Sequence, residues 1–276
     1  MDVGIGLPST IRGATGAQIV DWARRAEARD FSSLGTIDRI VYANYEPLIA
    51  LAAAAAVTER IKLATTILIA PLRVSGAMLA KQAASVDALS GGRLVLGVAV
   101  GGREDDYEAA GAEFGGRGKA FDHMLEQWDE IWSGDSIGPA GRPTVILGGS
   151  SGAAFRRAAA HDGWIMGGGS PDQFREGLAK LQTAWQAAGR DGKPQTMALS
   201  YFALGDNAKA AADGYLNDYY GFLGEMSQMV ADGAAKDADT VRAYVQGFAD
   251  AGCDELVFFP CDPDPGQVDL LADALG

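Results

Sequence analysis

From one end of the chain to the other, short runs that are apolar at nearly every position alternate with longer stretches whose apolar residues recur at helical spacing. The runs are DVGIGLP (2–8), SSLGTID (32–38), KLATTILIA (62–70), RLVLGVAV (93–100), TVILGG (144–149), GWIMGG (163–168), TMALSYFAL (196–204) and DELVFFP (254–260). Several show no polar alternation, which suits strands of a parallel sheet buried on both faces. Parallel neighbours need crossover helices, and residues 15–29 supply the first, with Ile19, Trp22, Ala23 and Ala26 on one stripe and Arg24, Arg25 and Glu27 off it. Further helices are expected at 46–58, 74–90, 117–133, 151–161, 171–188, 207–230 and 237–251. The run Ala52 to Ala56 lets the second pack closely on the sheet. No linker or shift in composition divides residues 1–276, so one domain is expected. An open doubly wound sheet shares this alternation, but eight strands each followed by a helix favour a closed (β/α)8 TIM barrel, an α/β fold whose site lies at the carboxyl ends of its strands.

Composition narrows the chemistry. A hydrophobic fraction of 48% supports a large core, while no apolar run approaches the ~18 residues of a membrane helix. The opening MDVGIGLPST is already strand-like and shows no secretory signal, so a cytoplasmic location is expected. A net charge of -13 opposes nucleic acid and an anionic membrane surface as partners. Cys253 and Cys261 have neither C-x-x-C spacing nor the density of a disulfide scaffold, and read as reduced thiols. With only His123 and His161, no catalytic metal is expected.

The most distinctive local stretch is TVILGGSSGAAFRRAAAH, a buried strand running through small residues into a helix. Gly148, Gly149 and Gly152 let backbone approach a ligand, and Ser150, Ser151 and the first helical N–H groups can donate to a phosphate. A tight turn with a serine cap reads equally well at this point. Gly148-Gly149-Ser150-Ser151-Gly152 also fits the G-x-S-x-G nucleophile elbow, but the only later histidine is His161, on the immediately following helix, so no triad can be completed. A dinucleotide fingerprint fails because Gly4-Ile5-Gly6 is followed by Ser9 where the third glycine belongs. After the fourth strand, Gly101-Gly102-Arg103 leads into Glu104, Asp105 and Asp106, acids suited to a helix start.

The segment ERIKLATTILIAPLRVSGAMLAKQAASVDALSGGRLVLGVAVGGREDDYEAAG (59–111), with PTVILGGSS, HDGW (161–164), FSSLGTIDR and the closing VRAYVQGFADAGCDELVFF, resembles the luciferase-like monooxygenase family of flavin- and deazaflavin-dependent oxidoreductases. The resemblance implies a barrel holding FMN or coenzyme F420 with the ring over its mouth. It implies a bulged third strand at Thr65, Thr66 and Ile67 behind the ring, with a non-proline cis peptide at Thr66–Ile67. It places the cofactor phosphate near Gly149, Ser150 and Ser151, with Gly101 and Gly102 flanking the ring or its tail, and it suggests a homodimer. With FMN, oxygen chemistry and monooxygenation are open to the enzyme; with the deazaflavin, direct hydride transfer is expected.

Three positions depart from the family pattern. Where many relatives carry an acid followed by His, this chain has Asp38-Arg39. Asp38 can accept or carry a proton if burial raises its pKa, whereas a guanidinium is a poor general acid and Arg39 suits an anion or an ion pair with Asp38. Gly102 stands where deazaflavin dehydrogenases tend to carry a glutamate. Tyr42 and Tyr45, with Asn44, are candidates for the substrate wall or proton donors. The connection between Trp132 and Pro143 is brief, which predicts a more open mouth or a lid from a partner. The leading expectation is a hydride-transferring or monooxygenating oxidoreductase acting on a small organic molecule. The alternative is a degenerate homologue that binds without turnover.

Overall fold

The computed structural model describes residues 1–139 and 141–276. Eight strands, β1 (Asp2–Gly6), β2 (Ser33–Thr36), β3 (Lys62–Ile69), β4 (Leu94–Ala99), β5 (Thr144–Gly148), β6 (Gly163–Met166), β7 (Gln195–Phe202) and β8 (Glu255–Pro260), close into a barrel. Each pairs in parallel with the next, and β8 returns to β1. All eight fall on the apolar runs. The period of two explains why those runs lack polar positions, since successive side chains point to opposite faces and both faces are covered. Ala64, Val95, Ile146, Ile165, Met197, Leu199 and Val257 form the interior cluster. Their neighbours Leu63, Leu94, Leu96, Leu147 and Leu256 join the helices in the outer one.

The helices are α1 (Gly16–Ala28), α2 (Pro47–Ala55), α3 (Gly76–Leu89), α4 (Glu104–Ala110), α5 (Arg117–Ser133), α6 (Gly152–Ala160), α7 (Pro171–Ala187), α8 (Ala208–Tyr219), α9 (Met226–Asp232), α10 (Ala238–Asp250) and α11 (Gly266–Leu275). A capping box between Thr15 and Gln18 opens α1, which buries the predicted stripe of Ile19, Trp22, Ala23 and Ala26. The indole N–H groups of Trp128 and Trp132 on α5 donate to the carbonyls of Gly76 and Ala80, which fixes α5 against α3. None of these helices is long and apolar enough to cross a membrane, among the described residues. The brief connection before Pro143 includes Ala140, which lies outside the described residues.

The expected continuous helix at 207–230 is in fact two. After Tyr219 the chain makes a 3-10 turn at Gly221–Leu223 and reverses at Gly224, whose φ of 59° belongs to the left-handed region, before α9 begins. Helical periodicity runs through the break, but two glycines three residues apart weaken the helix there. The terminal α11 adds to the helices that periodicity predicts. It buries Val268, Leu271 and Ala274, and its Gln267 side chain bonds both the N–H and the carbonyl of Leu204 just after β7.

One contact shapes the mouth. The register of β3 against β4 slips between Thr65 and Leu68, forming a bulge. There the Thr65 hydroxyl donates to the Gly97 carbonyl at 2.7 Å, and a Cβ on Gly97 would overlap the Thr65 carbonyl oxygen. Backbone cannot yield as a side-chain tip can. Gly97→Ala is therefore expected to destabilise the fold by about 3 kcal/mol or more. Gly214, inside α8 with open space around it, is the opposite case, and Gly214→Ala should stabilise by roughly 0.5–1 kcal/mol. Urea unfolding midpoints check both signs.

Candidate active site

Beyond the bulge the Thr66–Ile67 peptide is cis. The Thr66 hydroxyl donates to the Thr36 carbonyl at 3.2 Å, tying β3 to the end of β2. Ile67 is half-buried and packs against the interior cluster together with Ile37, Tyr42 and Tyr220. Small residues on the neighbouring strands make room for it. A Cβ on Gly148 would stand 3.1 Å from Ile67 and 3.2 Å from Ala99, and one on Gly101 would stand 2.8 Å from Ile69. Gly101 also has a φ of 65°, so glycine is required there twice over. Gly102 is exposed, and a Cβ added to it would meet nothing within 4 Å. Beside Thr66, the Thr36 hydroxyl is fully buried and has no hydrogen-bond partner among the described residues. Such a group is one that a bound polar ligand or water satisfies.

At the exit of β5, Gly149 adopts a φ of 116° and its carbonyl accepts from the Trp164 indole at 2.8 Å. The HDGW stretch is thus structural: Asp162 holds the Val145 N–H at 2.7 Å, and Trp164 anchors the β5–α6 turn. Ser151 caps α6, accepting from the Ala154 N–H at 3.2 Å, while the exposed Ser150 hydroxyl makes no hydrogen bond among the described residues. Cap and anion donor are compatible, because a serine that accepts at the cap keeps its own O–H to donate. The N–H groups of Ser150, Ser151 and Gly152 likewise find no backbone acceptor among the described residues. Arg156, one turn on, folds back so that its Nη1 lies 3.6 Å from where a Gly152 Cβ would stand. Its neighbour Arg157 is paired with Asp122 at 2.6 Å, whereas Arg156 makes no ion pair among the described residues. Free donors, a helix N-terminus and one uncommitted cation suit a phosphate. Arg156 escaped the sequence reading because an exposed helical arginine looks like any solvated charge.

The Asp38-Arg39 ion pair is not formed. Both oxygens of Asp38 accept from Arg73, at 3.1 Å on Oδ1 and more closely on Oδ2, and Oδ2 also accepts from the Ile69 N–H at 2.8 Å. Burial pushes the Asp38 carboxyl above the ordinary aspartate range, opposed by Arg73 and the Ile69 N–H. Arg39 instead donates from Nε to Asp106 at 2.8 Å and from Nη2 to the Val41 carbonyl at 3.0 Å. Adjacent side chains diverge, so each found a partner on another element. Asp106, expected to serve the dipole of α4, has a side chain that is 0% exposed and also accepts from the Ile40 and Val41 N–H groups at 3.0 and 2.6 Å. It thereby sets the loop after β2.

Around Arg39 stand rings that sequence reasoning missed: the guanidinium lies 5.6 Å from the Tyr219 ring and 5.9 Å from Phe222, which also stacks on Arg103 at 4.0 Å. The turn between α8 and α9 thus bridges the loops that leave β2 and β4, the two neighbours of β3. Tyr42 packs edge-on against Tyr219 and donates to Asp218, and its phenol is pushed up to about 12 by burial first and Asp218 second. Tyr45 donates to the Ala14 carbonyl at 3.0 Å, so its hydroxyl is committed to the loop before α1.

A closed parallel barrel with a bulged third strand and unpartnered donors at the turn after the fifth defines the class, a (β/α)8 TIM barrel. Residues 1–252 match the family model for luciferase-like monooxygenases, and the chain belongs to that family, whose class of activity is oxidoreduction. Curated relatives include an uncharacterized protein of Mycobacterium tuberculosis, 33% identical over 208 residues (61% of this chain, 71% of the relative). A second uncharacterized protein of the same organism is 31% identical over 223 residues (74% of this chain, 75% of the relative). Among solved structures, the fold is similar to an F420-dependent secondary alcohol dehydrogenase in complex with an F420-acetone adduct (TM-score 0.82, 16% identity, 100% of both chains). It is also similar to monooxygenase RslO1 from Streptomyces bottropensis (TM-score 0.79, 19% identity, 100% of this chain and 98% of that one).

The arrangement around Asp106 yields a direct test. Asp106→Ala strands the buried Arg39 and two loop N–H groups, and should cost about 3–5 kcal/mol in urea unfolding. Asp106→Asn keeps one oxygen for the Ile40 and Val41 N–H groups and should cost clearly less. Equal losses would show that the charge pair with Arg39, and not the loop N–H groups, sets the cost.

Proposed function

We propose that the chain is an oxidoreductase that uses FMN or coenzyme F420 at the barrel mouth to transform a small organic substrate, by hydride transfer or, with FMN, by monooxygenation. The observation that carries this reading is the set of uncommitted donors at the start of α6, next to the bulged segment of β3 whose Ile67 packs over Gly148. The residues fit the group. Gly149, Ser150 and Ser151 would hold its phosphate through N–H and hydroxyl donors, with Arg156 adding charge. Thr65, Thr66 and Ile67 would back the ring, with Gly148 and Gly101 seating Ile67 and Ile69 behind it and Gly102 open beside it. When bound, the cofactor supplies the redox chemistry, and the protein supplies position and electrostatics.

In this reading Asp38 and Arg39 shape the site rather than move protons. Asp38 fixes the Ile69 N–H at the end of β3, two residues beyond the platform, and Arg39 anchors the β2 loop and the aromatic turn. Tyr42 stays protonated at neutral pH and contributes to the wall beside Ile67.

Fluorescence titration with FMN and with coenzyme F420 is the test. One of the two should bind with a Kd on the order of 10 μM or tighter. Arg156→Ala should weaken that binding about tenfold, and Ser150→Glu should abolish it by placing a carboxylate against the phosphate. No binding of either cofactor, or unchanged affinity in both variants, would refute the assignment.

A further inference from the structure

A cavity of about 490 Å³ opens between the loop after β6 and the α9–α10 region. Its walls include Gly168, Leu199, Tyr201, Tyr220, Val230 and Tyr244, and no lining residue is charged, in a chain of net charge -13. It opens beside the carboxyl ends of β6 and β7. Tyr201 lies near the carboxyl end of β7, four places around the barrel from β3, and packs in the same interior cluster as Ile67. The cavity is thus lined from the β6 and β7 side, opposite β3 in the strand order.

The cavity carries few polar side chains, and of these the Ser200 hydroxyl makes no hydrogen bond among the described residues. The Ser170 hydroxyl caps α7 and the Tyr244 hydroxyl donates to the Gly233 carbonyl at 2.7 Å. Tyr201 and Tyr220 share one hydrogen bond at 2.8 Å between their hydroxyls. Two hydroxyls carry two hydrogens, and this bond uses one of them. The second finds no acceptor among the described residues. Burial pushes both phenols above the ordinary tyrosine range, so the pair stays protonated.

We infer that this cavity is the substrate pocket and that it takes a neutral, mainly apolar organic molecule whose carbonyl, hydroxyl or ether oxygen accepts the free hydrogen of the Tyr201–Tyr220 pair. An ionised ligand would find no charged side chain in these walls, and a desolvation cost that neither a single phenol hydrogen bond nor the N-terminus of α7, already closed by its capping box, offsets. The volume falls within the ~300–1,000 Å³ range of small-molecule pockets and suits a ligand of one or two fused rings. The assignment as substrate pocket rests on the redox reading of the mouth. The recognition of a neutral oxygen-bearing ligand does not, because the walls and the hydroxyl pair belong to the protein alone.

The test uses the full chain without cofactor and 6-propionyl-2-(dimethylamino)naphthalene, a neutral bicyclic ketone whose emission reports both polarity and hydrogen bonding at its carbonyl. Saturable, blue-shifted binding of one equivalent is expected. Val230→Trp should weaken it about tenfold or more by filling the cavity. The double variant Tyr201→Phe/Tyr220→Phe, which keeps both rings and removes both hydrogens, should weaken it about tenfold and shift the bound emission further to the blue as the carbonyl loses its donor. The anionic probe 8-anilinonaphthalene-1-sulfonate should compete weakly or not at all. Absence of saturable binding, or binding indifferent to both substitutions in variants with wild-type circular dichroism, would overturn the inference. Ketone binding by a protein that takes neither FMN nor F420 would instead remove the redox reading and leave the neutral-ligand pocket standing.

Discussion

The approach of β3 to β4 at Thr65 and Gly97, close enough that no side chain fits between them, governs how the mouth is built. A parallel strand buried on both faces has nowhere to place an extra residue except along its own length, and the slip between Thr65 and Leu68 is that accommodation. It turns Ile67 toward the interior cluster and leaves the Thr66 hydroxyl bonded to the end of β2. The small residues at Gly101 and Gly148 follow from the same requirement, since larger ones would occupy the space of Ile69 and Ile67.

Electrostatics at the mouth is dominated by charges that neutralise one another. Asp38 with Arg73 and Arg39 with Asp106 are buried pairs, and the latter is surrounded by the rings of Tyr42, Tyr219 and Phe222. Buried pairs of this kind fix geometry more than they add stability. Their effect is to hold the loops after β2, β3 and β4 in register with the α8–α9 turn. The uncommitted charge and donors lie elsewhere, at the start of α6. The separation leaves unpartnered donors on the β5 side and uncharged side chains on the β6 and β7 side.

The barrel was legible in the sequence because its strands are apolar on both faces, a pattern that survives without knowledge of partners. The β5–α6 turn was legible too, since glycine and serine before a helix have few meanings. What escaped were features decided by distant residues. Asp38 and Arg73 are 35 positions apart and Arg39 and Asp106 are 67, so adjacency of Asp38 to Arg39 was a misleading cue. Asp106 looked like its exposed neighbour Glu104, and only the structure distinguishes the buried acid. The break after Tyr219 was hidden by a helical pattern that continues through Gly221 and Gly224, although that pair of glycines was the available signal. Tyr201 read as an ordinary core aromatic, and its hydroxyl acquires meaning only beside Tyr220.

In the proposed function the turn after β5 holds a cofactor phosphate while the Thr66–Ile67 segment backs its ring. A crystal structure of the protein with FMN or coenzyme F420 bound tests this most directly. The expected result is phosphate oxygens at about 3 Å from the Ser150 and Ser151 donors, with the ring system against Ile67. Density that places the phosphate at another loop, or the ring away from β3, would contradict it.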